Sequence, residues 1–147
     1  MADLEKVARL AAGDRHLAVF TVGRPDGTVH ASVVKAGPMA DPVDGSSGVA
    51  AVVAGASRKL TLLRRTGRAT LVFKDGWDWA AVSGPVRLIG PDDGSEYGLD
   101  VPDTIRSVFQ SAGGTHDDWD EFDRVMAADR RCAVFVHAEV VSSNPGM

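Results

Sequence analysis

The sequence lacks the features that mark several specialised classes of protein. It has a single cysteine, Cys132, which excludes an intramolecular disulfide and suits a reducing compartment. No segment approaches the roughly 18 consecutive apolar residues of a membrane-spanning helix. Charged residues are spread over positions 1–16, a pattern unlike that of a secretory signal. These absences predict a cytoplasmic protein with no membrane anchor.

An excess of basic residues is also absent. The 16 Lys and Arg residues are outnumbered by 20 Asp and Glu residues, which gives a formal net charge of −4 and argues against a nucleic-acid-binding surface. Hydrophobic residues make up 44% of the chain, an ordinary share for a globular protein. A chain of 147 residues can bury a sizeable core without a structural metal. We therefore expect residues 1–147 to form one domain.

Hydrophobic periodicity and turn signals divide the chain into helices and strands. Asp3 is expected to cap the first helix, and Asp75-Gly76 is typical of a tight hairpin. Thr115 with Asp118 resembles a capping box, and the inner face of the helix that it opens is predicted to hold Trp119, Phe122, Val125 and Met126. The predicted helices are 3–12, 57–66, one that begins at 102 and one that begins at 115; the predicted strands are 16–22, 28–36, 49–53, 69–74, 77–90 and 132–141, with a loop over 37–48.

The order of these elements indicates a mainly β fold with flanking helices. Hairpin connections and the lack of a regular βαβ alternation predict a six-stranded antiparallel barrel with helices over its openings. The second strand is largely apolar on both faces, with Val29, Ala31 and Val33 on one side and Ser32, Val34 and Ala36 on the other. Because a second buried face needs a second covering layer, this pattern predicts a homodimer.

The segment Gly55-Ala56-Ser57-Arg58-Lys59-Leu60 places two cations in the first turn of a predicted helix. The positive end of the helix dipole repels these cations and disfavours their placement by about 0.3–1 kcal/mol per charge. Such local conflicts tend to lie at functional sites. A bound anion would remove the conflict, since backbone N–H groups, the Ser57 hydroxyl and both cations would converge on it. The alternative is two solvated surface cations. Lys35, near the end of an apolar strand, either adds a charge to the same site or extends to solvent.

The stretch ASRKLTLLRRTGRATLVFKDGW resembles the pyridoxamine 5'-phosphate oxidase-like split barrels, which bind FMN or a deazaflavin and open this helix with a Ser-Arg-Lys triplet. The resemblance implies that Arg58 and Lys59 bind the flavin phosphate and that Ser57 caps the helix and donates to the phosphate. The strand HASVVK resembles the flavin-contacting strand of that family.

Lys35 matches the lysine at the end of that strand, and Val33 and Val34 match the positions that line the ring system. His30 stands where the family has an arginine.

Two further segments indicate the type of split barrel. The C-terminal segment VFVHAEVVSSNPGM lacks the Arg, Trp and His pattern of vitamin B6 oxidases, whereas GWDW and GGTHDDWDEFDRVM resemble actinobacterial members, many of which use the deazaflavin coenzyme F-420. The resemblance implies an F-420-dependent reductase that transfers hydride to a small planar substrate. The alternatives are an FMN-dependent oxidoreductase with the same phosphate site and a non-catalytic protein that binds flavin or haem.

Trp77 and Trp79 are predicted to share one face of the fifth strand. One of these indoles would flank the cofactor ring across a dimer interface; alternatively, both pack beneath the helices or into the interface. His116 and Asp117 are adjacent and do not share a helix face, so we predict no metal site. No catalytic acid or base is predicted, since a flavin-type cofactor itself carries the hydride.

Overall fold

The computed structural model describes residues 4–145, and in that range it contains four α-helices, seven strands and one short 3₁₀ helix, Ser95–Tyr97. The α-helices are α1 (Leu4–Gly13), α2 (Arg58–Thr66), α3 (Val101–Ser111) and α4 (Trp119–Ala128). The strands are β1 (Leu17–Gly23), β2 (Val29–Pro38), β3 (Gly48–Val53), β4 (Arg68–Asp75), β5 (Asp78–Ile89), β6 (Cys132–His137) and β7 (Val140–Ser143).

Six of the strands close into the predicted antiparallel barrel. Their order is β4-β1-β2-β3-β6-β5, and β5 pairs back to β4. The two longest strands pass from one half of the barrel to the other: residues 29–35 of β2 pair with β1, and residues 36–38 pair with β3. Likewise, residues 78–85 of β5 pair with β4, and residues 86–89 pair with β6. The split-barrel prediction is therefore confirmed.

The predicted strand 132–141 is wrong in one respect, because it is interrupted at Ala138 and Glu139. Val136 pairs with Val86, but Val140 pairs with Ser83, so one extra residue lies in the β6–β7 segment. Such a bulge breaks the ladder and bends the strand. Gly84 lies opposite the break, where a Cβ would overlap the carbonyl oxygen of His137. The bulge therefore depends on a glycine in β5.

Two hydrophobic clusters hold the helices to the barrel. The barrel interior is filled by residues such as Phe20 and Phe73, and Leu10 of α1 and Leu60 of α2 pack against it. A second cluster joins α3 and α4 to the outside of β3 and β6; it contains Ala50, Ile89, Ile105, Val108, Phe122, Ala133 and Phe135. The second cluster fixes the α3–α4 pair beside the barrel. Within residues 4–145, every helix is too short or too polar to traverse a lipid bilayer.

The helix ends test the capping predictions. Ser57 caps α2 by accepting from the Leu60 N–H at 3.3 Å, as predicted, and Gly67 ends the helix with a φ of 68°. The cap of α4 is Asp118, which accepts from the Glu121 N–H at 3.1 Å, and not Thr115, which stays outside the helix. Val125 is 52% exposed, because it lies at the edge of the apolar face that α4 packs inward. Asp3 lies outside the described residues.

Candidate functional site

A cleft of about 670 Å³ separates the barrel from the α3–α4 pair. Val33 and Val34 of β2 and Val52 of β3 line its barrel side, and Phe109 of α3 and Phe122 of α4 line the opposite side. Apolar side chains thus cover both walls. Its volume falls in the range of about 300–1,000 Å³ that is typical of small-molecule sites.

Lys59 lines this cleft because the β3–α2 turn places the start of α2 beside it. The Ser57 hydroxyl donates to the Ala54 carbonyl oxygen at 2.8 Å and accepts from the Leu60 N–H at 3.3 Å. These two bonds fix the turn, and the next side chains begin the helix. Lys59 is half-buried and lines the cleft.

Burial and the charge of Arg131 lower the pKa of Lys59. Among residues 4–145, none forms an ion pair or hydrogen bond with its ammonium group. A partly desolvated cation without a counter-charge is electrostatically unfavourable. Its position in a cleft therefore suits an anionic ligand group.

The other predicted cations occupy different positions. Lys35, at the end of the β1-paired part of β2, also lines the cleft, although its side chain is exposed. Arg58 is exposed and is not one of the residues that line the cleft. Successive residues of a helix point in different directions, so Lys59 faces the cleft while its neighbour Arg58 faces solvent. The cleft thus brings together Val33, Val34, Lys35 and Lys59 of the predicted site.

Arg131 lines the same cleft, and the sequence analysis missed it. It lies in the turn between α4 and β6, far from Lys59 along the chain, so no local motif marks it. The Gly55 N–H donates to the Asp129 carbonyl oxygen at 3.1 Å, which ties this turn to the β3–α2 turn. Arg131 Nε donates to the Asp129 carboxylate at 2.5 Å, an interaction that orients the guanidinium.

Trp77 and Trp79 lie outside this cleft, in a separate groove at the tip of the β4–β5 hairpin with Val72 and Lys74. Trp79 belongs to β5, but Trp77 lies in the turn and is 82% exposed. The prediction that Trp77 lies in the strand is therefore wrong, because the Gly76 turn extends through it, but both tryptophans line the same groove. The side-chain amide of Asn144 holds the turn, donating to the Trp77 carbonyl at 2.7 Å and accepting from the Trp79 N–H at 3.0 Å.

A buried ionic network lies at another part of the barrel. Asp41 Oδ2 accepts from Arg87 Nε at 2.6 Å and lies 2.7 Å from His137 Nε2, and the Asp41 side chain is only 1% exposed. Burial raises the pKa of Asp41, but the hydrogen bonds from Arg87 and His137 outweigh it and lower the pKa. Asp41, Asp44 and His137 are close enough to share a cation, yet Arg87 already pairs with both carboxylates. The network therefore holds the β2–β3 loop, which contains Asp41, against β5 and β6.

Cys132 is not suited to nucleophilic chemistry. It is buried, and burial, followed by the negative charge of Asp93, raises its pKa to about 12. A thiol with this pKa stays protonated at neutral pH, whereas reactive cysteines are exposed thiolates.

No known protein-family model matches the sequence, but solved structures share its fold. A conserved hypothetical protein from Mycobacterium tuberculosis is 17% identical, with a TM-score of 0.66 over 97% of this chain and 84% of that one. A pyridoxamine 5'-phosphate oxidase-related, FMN-binding protein from Nostoc punctiforme is 10% identical, with a TM-score of 0.63 over the same shares of each chain, 97% and 84%. An F420 reductase is 13% identical, with a TM-score of 0.58 over 87% of this chain and 90% of that one.

Identities this low define the fold alone. The chain thus has the split-barrel architecture found in an FMN-binding protein and in an F420 reductase.

Proposed function

We propose that the cleft binds a flavin-type cofactor and that the protein is an oxidoreductase. Its leading cofactor is coenzyme F-420, with hydride passing from the reduced cofactor to a small planar organic substrate; FMN is the alternative for the same site. The observation that carries the proposal is Lys59, a half-buried cation that lines an apolar cleft and has no counter-charge among residues 4–145.

The phosphate of the cofactor is assigned to the end of the cleft where α2 begins. Lys59 supplies the direct charge, and Lys35 adds a second cation from the β2 wall. Ser57 caps the start of α2, and the dipole of this helix favours an anion near its N-terminus. Arg58 contributes from the solvent side as a longer-range charge.

The ring system is assigned to the apolar part of the cleft. Val33 and Val34 would contact one side of the ring, and Phe109 and Phe122 of the helices would enclose the other. When bound, a flavin or deazaflavin supplies the hydride chemistry itself. The residues of this chain would bind the cofactor, orient it and exclude water.

We propose that a second copy of the chain packs on the outer face of the sheet formed by β1, β4 and β5. An apolar row crosses this face and continues onto β2, in the order Val33–Val19–Val72–Ala81. Val33 is 64% exposed on the single chain, although it is apolar. Side chains two residues apart on a strand lie on the same face. Trp79 is two residues from Ala81 on β5, so it lies on the face that carries Val33. A homodimer would therefore place the Trp79 hairpin of one copy near the cleft edge of the other.

Titration with F-420 and with FMN, followed by tryptophan fluorescence, tests the cofactor assignment. Trp119 is suited to report binding because its ring centroid lies 5.1 Å from that of Phe122, which lines the cleft. Saturable quenching that disappears in Trp119→Phe, and persists in Trp77→Phe, supports binding in the cleft. Absence of saturable binding by both cofactors would overturn the proposal.

Reoxidation of the bound, reduced cofactor then separates catalysis from storage. We expect a quinone, nitro compound or tetrapyrrole to reoxidise it under anaerobic conditions, measured by its absorbance. Tight binding without reoxidation by any acceptor class would favour a non-catalytic binding protein.

A further inference from the structure

We propose that Arg131 and Lys59 together form a paired-cation site for the phosphate group of the ligand, so that the binding pair of this chain is not the adjacent Arg58 and Lys59. This inference rests on the proposed function, because it concerns the charged group of the same ligand. It adds a residue that enters the cleft from the turn before β6.

The three cations Arg58, Lys59 and Arg131 differ in their position relative to the cleft. Lys59 and Arg131 both line the cleft, whereas Arg58 is exposed and lies outside its lining. The charge of Arg131 lowers the pKa of Lys59, so these two lining residues lie close enough to interact. The only other charged side chain on the walls, among residues 4–145, is Lys35. Two neighbouring cations repel each other, and a phosphate between them would convert this repulsion into attraction.

The backbone around Arg131 packs closely against the turn before α2. A Cβ at Gly55 would overlap the carbonyl oxygen of Arg130, so the α4–β6 turn approaches the β3–α2 turn as closely as a glycine permits. The Gly55 N–H donates to the Asp129 carbonyl oxygen at 3.1 Å, and the Arg131 N–H donates to the Met126 carbonyl oxygen at 3.0 Å. These contacts hold Arg131 beside the start of α2, which carries Lys59.

The guanidinium of Arg131 has more N–H donors than its contact with Asp129 uses. Its Nε donates to Asp129 Oδ2 at 2.5 Å, and the Asp129 side chain is 45% exposed. The two terminal nitrogens of a guanidinium supply further N–H donors in a planar fork that matches phosphate oxygens. Asp129 therefore orients the guanidinium from the solvent side and leaves donors for the ligand.

A pair of ligands that differ only in the phosphate tests the proposal. FMN and riboflavin share the ring, and F-420 can be compared in the same way with its phosphate-free deazaflavin core. We expect Arg131→Ala to weaken binding of the phosphate-bearing ligand by about 10- to 100-fold, the range for a lost hydrogen bond to a charged group. Its effect on riboflavin should be less than about 3-fold, within the uncertainty expected of small surface changes.

Two matched variants complete the experiment. Arg131→Lys keeps the charge and should recover part of the lost affinity, whereas Arg124→Ala, which removes an exposed arginine of α4, should leave both ligands unaffected. Circular dichroism establishes that each variant is folded. A pH titration adds a readout that a structural role would not move: without Arg131, the pKa of Lys59 should rise toward its usual value.

The outcomes distinguish this proposal from the proposed function. If Lys59→Ala loses phosphate-dependent affinity but Arg131→Ala does not, the paired site is wrong and the cofactor site stands. Equal loss of FMN and riboflavin in Arg131→Ala would also overturn the paired site, because it would assign Arg131 to the ring wall. If wild-type protein binds neither the flavins nor the deazaflavins, the proposed function itself fails.

Discussion

Gly55 packs against Arg130 so closely that a Cβ at position 55 would overlap the Arg130 carbonyl oxygen. This contact joins the turn before α2 to the turn before β6, two segments that are distant in sequence. Each turn delivers one cation, Lys59 or Arg131, to the same cleft. The charge of the cleft therefore depends on how closely two backbones can approach.

Replacement of Gly55 by alanine should move these turns apart. We expect Gly55→Ala to destabilise the fold by about 1–3 kcal/mol, the usual cost of overpacking, and to weaken cofactor binding because Arg131 shifts away from Lys59. Chemical denaturation and ligand titration measure the two effects. Gly23→Ala is the matched control, since no atom lies within 4 Å of a Cβ at that position. Equal behaviour of the two variants would contradict the account of this contact.

The affinity for a phosphate-bearing cofactor should depend on pH through Lys59. Because burial and Arg131 lower the pKa of Lys59, the ammonium loses its proton at a lower pH than an ordinary lysine. Only the protonated form attracts phosphate, so affinity should be highest below this lowered pKa and fall as pH rises through it. Titrations between about pH 7 and 10 bracket the window below the usual lysine value. In Lys59→Arg, the fall should disappear; an unchanged profile would exclude Lys59 as its source.

The buried Asp41 should contribute strongly to stability. Asp41→Asn leaves Arg87, whose side chain is 15% exposed, with only its longer contact to Asp44, and we expect a loss of about 2–4 kcal/mol. Asp44→Asn is the control, since the Asp44 side chain is 44% exposed and its Arg87 contact is longer, 3.3 Å. Urea unfolding should show a much larger loss for Asp41→Asn than for Asp44→Asn. Similar losses would contradict the central role of Asp41.

The same network predicts how stability varies at acid pH. The folded protein lowers the pKa of Asp41, so its stabilisation is fully present above the unfolded value of about 3.9. It is lost as pH falls through the lower pKa of the folded state. Wild type should therefore lose its stability advantage over Asp41→Asn in this acidic window, as measured by thermal unfolding at successive pH values. A constant difference across the window would argue against an ionised Asp41 as its cause.

Association through the outer sheet face should be sensitive to a buried charge. Val19 lies on β1 between Val33 and Val72 in the row across this face, so Val19→Asp should convert a dimer into a monomer. Analytical ultracentrifugation measures the change. Val125→Asp is the control, because Val125 is 52% exposed on α4. A monomeric wild type, or a dimer that survives Val19→Asp, would contradict the proposed interface.

The sequence predicted the barrel because its signals are local. Strand periodicity, the Asp75-Gly76 hairpin and the Ser57 cap each act within a few residues. The interruption at Ala138 was missed because it depends on Gly84 of another strand, and alternation alone does not reveal such a cross-strand approach. Thr115 was predicted as a cap because Asp118 follows it by three residues, as in a capping box. Asp118 itself caps α4, since its carboxylate accepts from the Glu121 N–H.

The candidate site was predicted only in part, because only some of the residues that line the cleft carry a local signal in the sequence. The placement of two cations at the start of α2 is visible in the sequence, but which of them faces the cleft depends on how the helix packs. Lys59 lines the cleft and Arg58 does not. Arg131 carries no local signal, because its proximity to Lys59 arises from the contact between two turns.

The most direct test of the central claim is the dissociation constant of F-420 and of FMN for Lys59→Ala, compared with Arg65→Ala, an exposed arginine on the same helix. We predict that Lys59→Ala weakens the cofactor that binds wild type by about 10- to 100-fold, as expected for a lost charged hydrogen bond, while Arg65→Ala binds as wild type does. Wild-type affinity in a folded Lys59→Ala variant would contradict the claim that this cation holds the anionic end of the ligand.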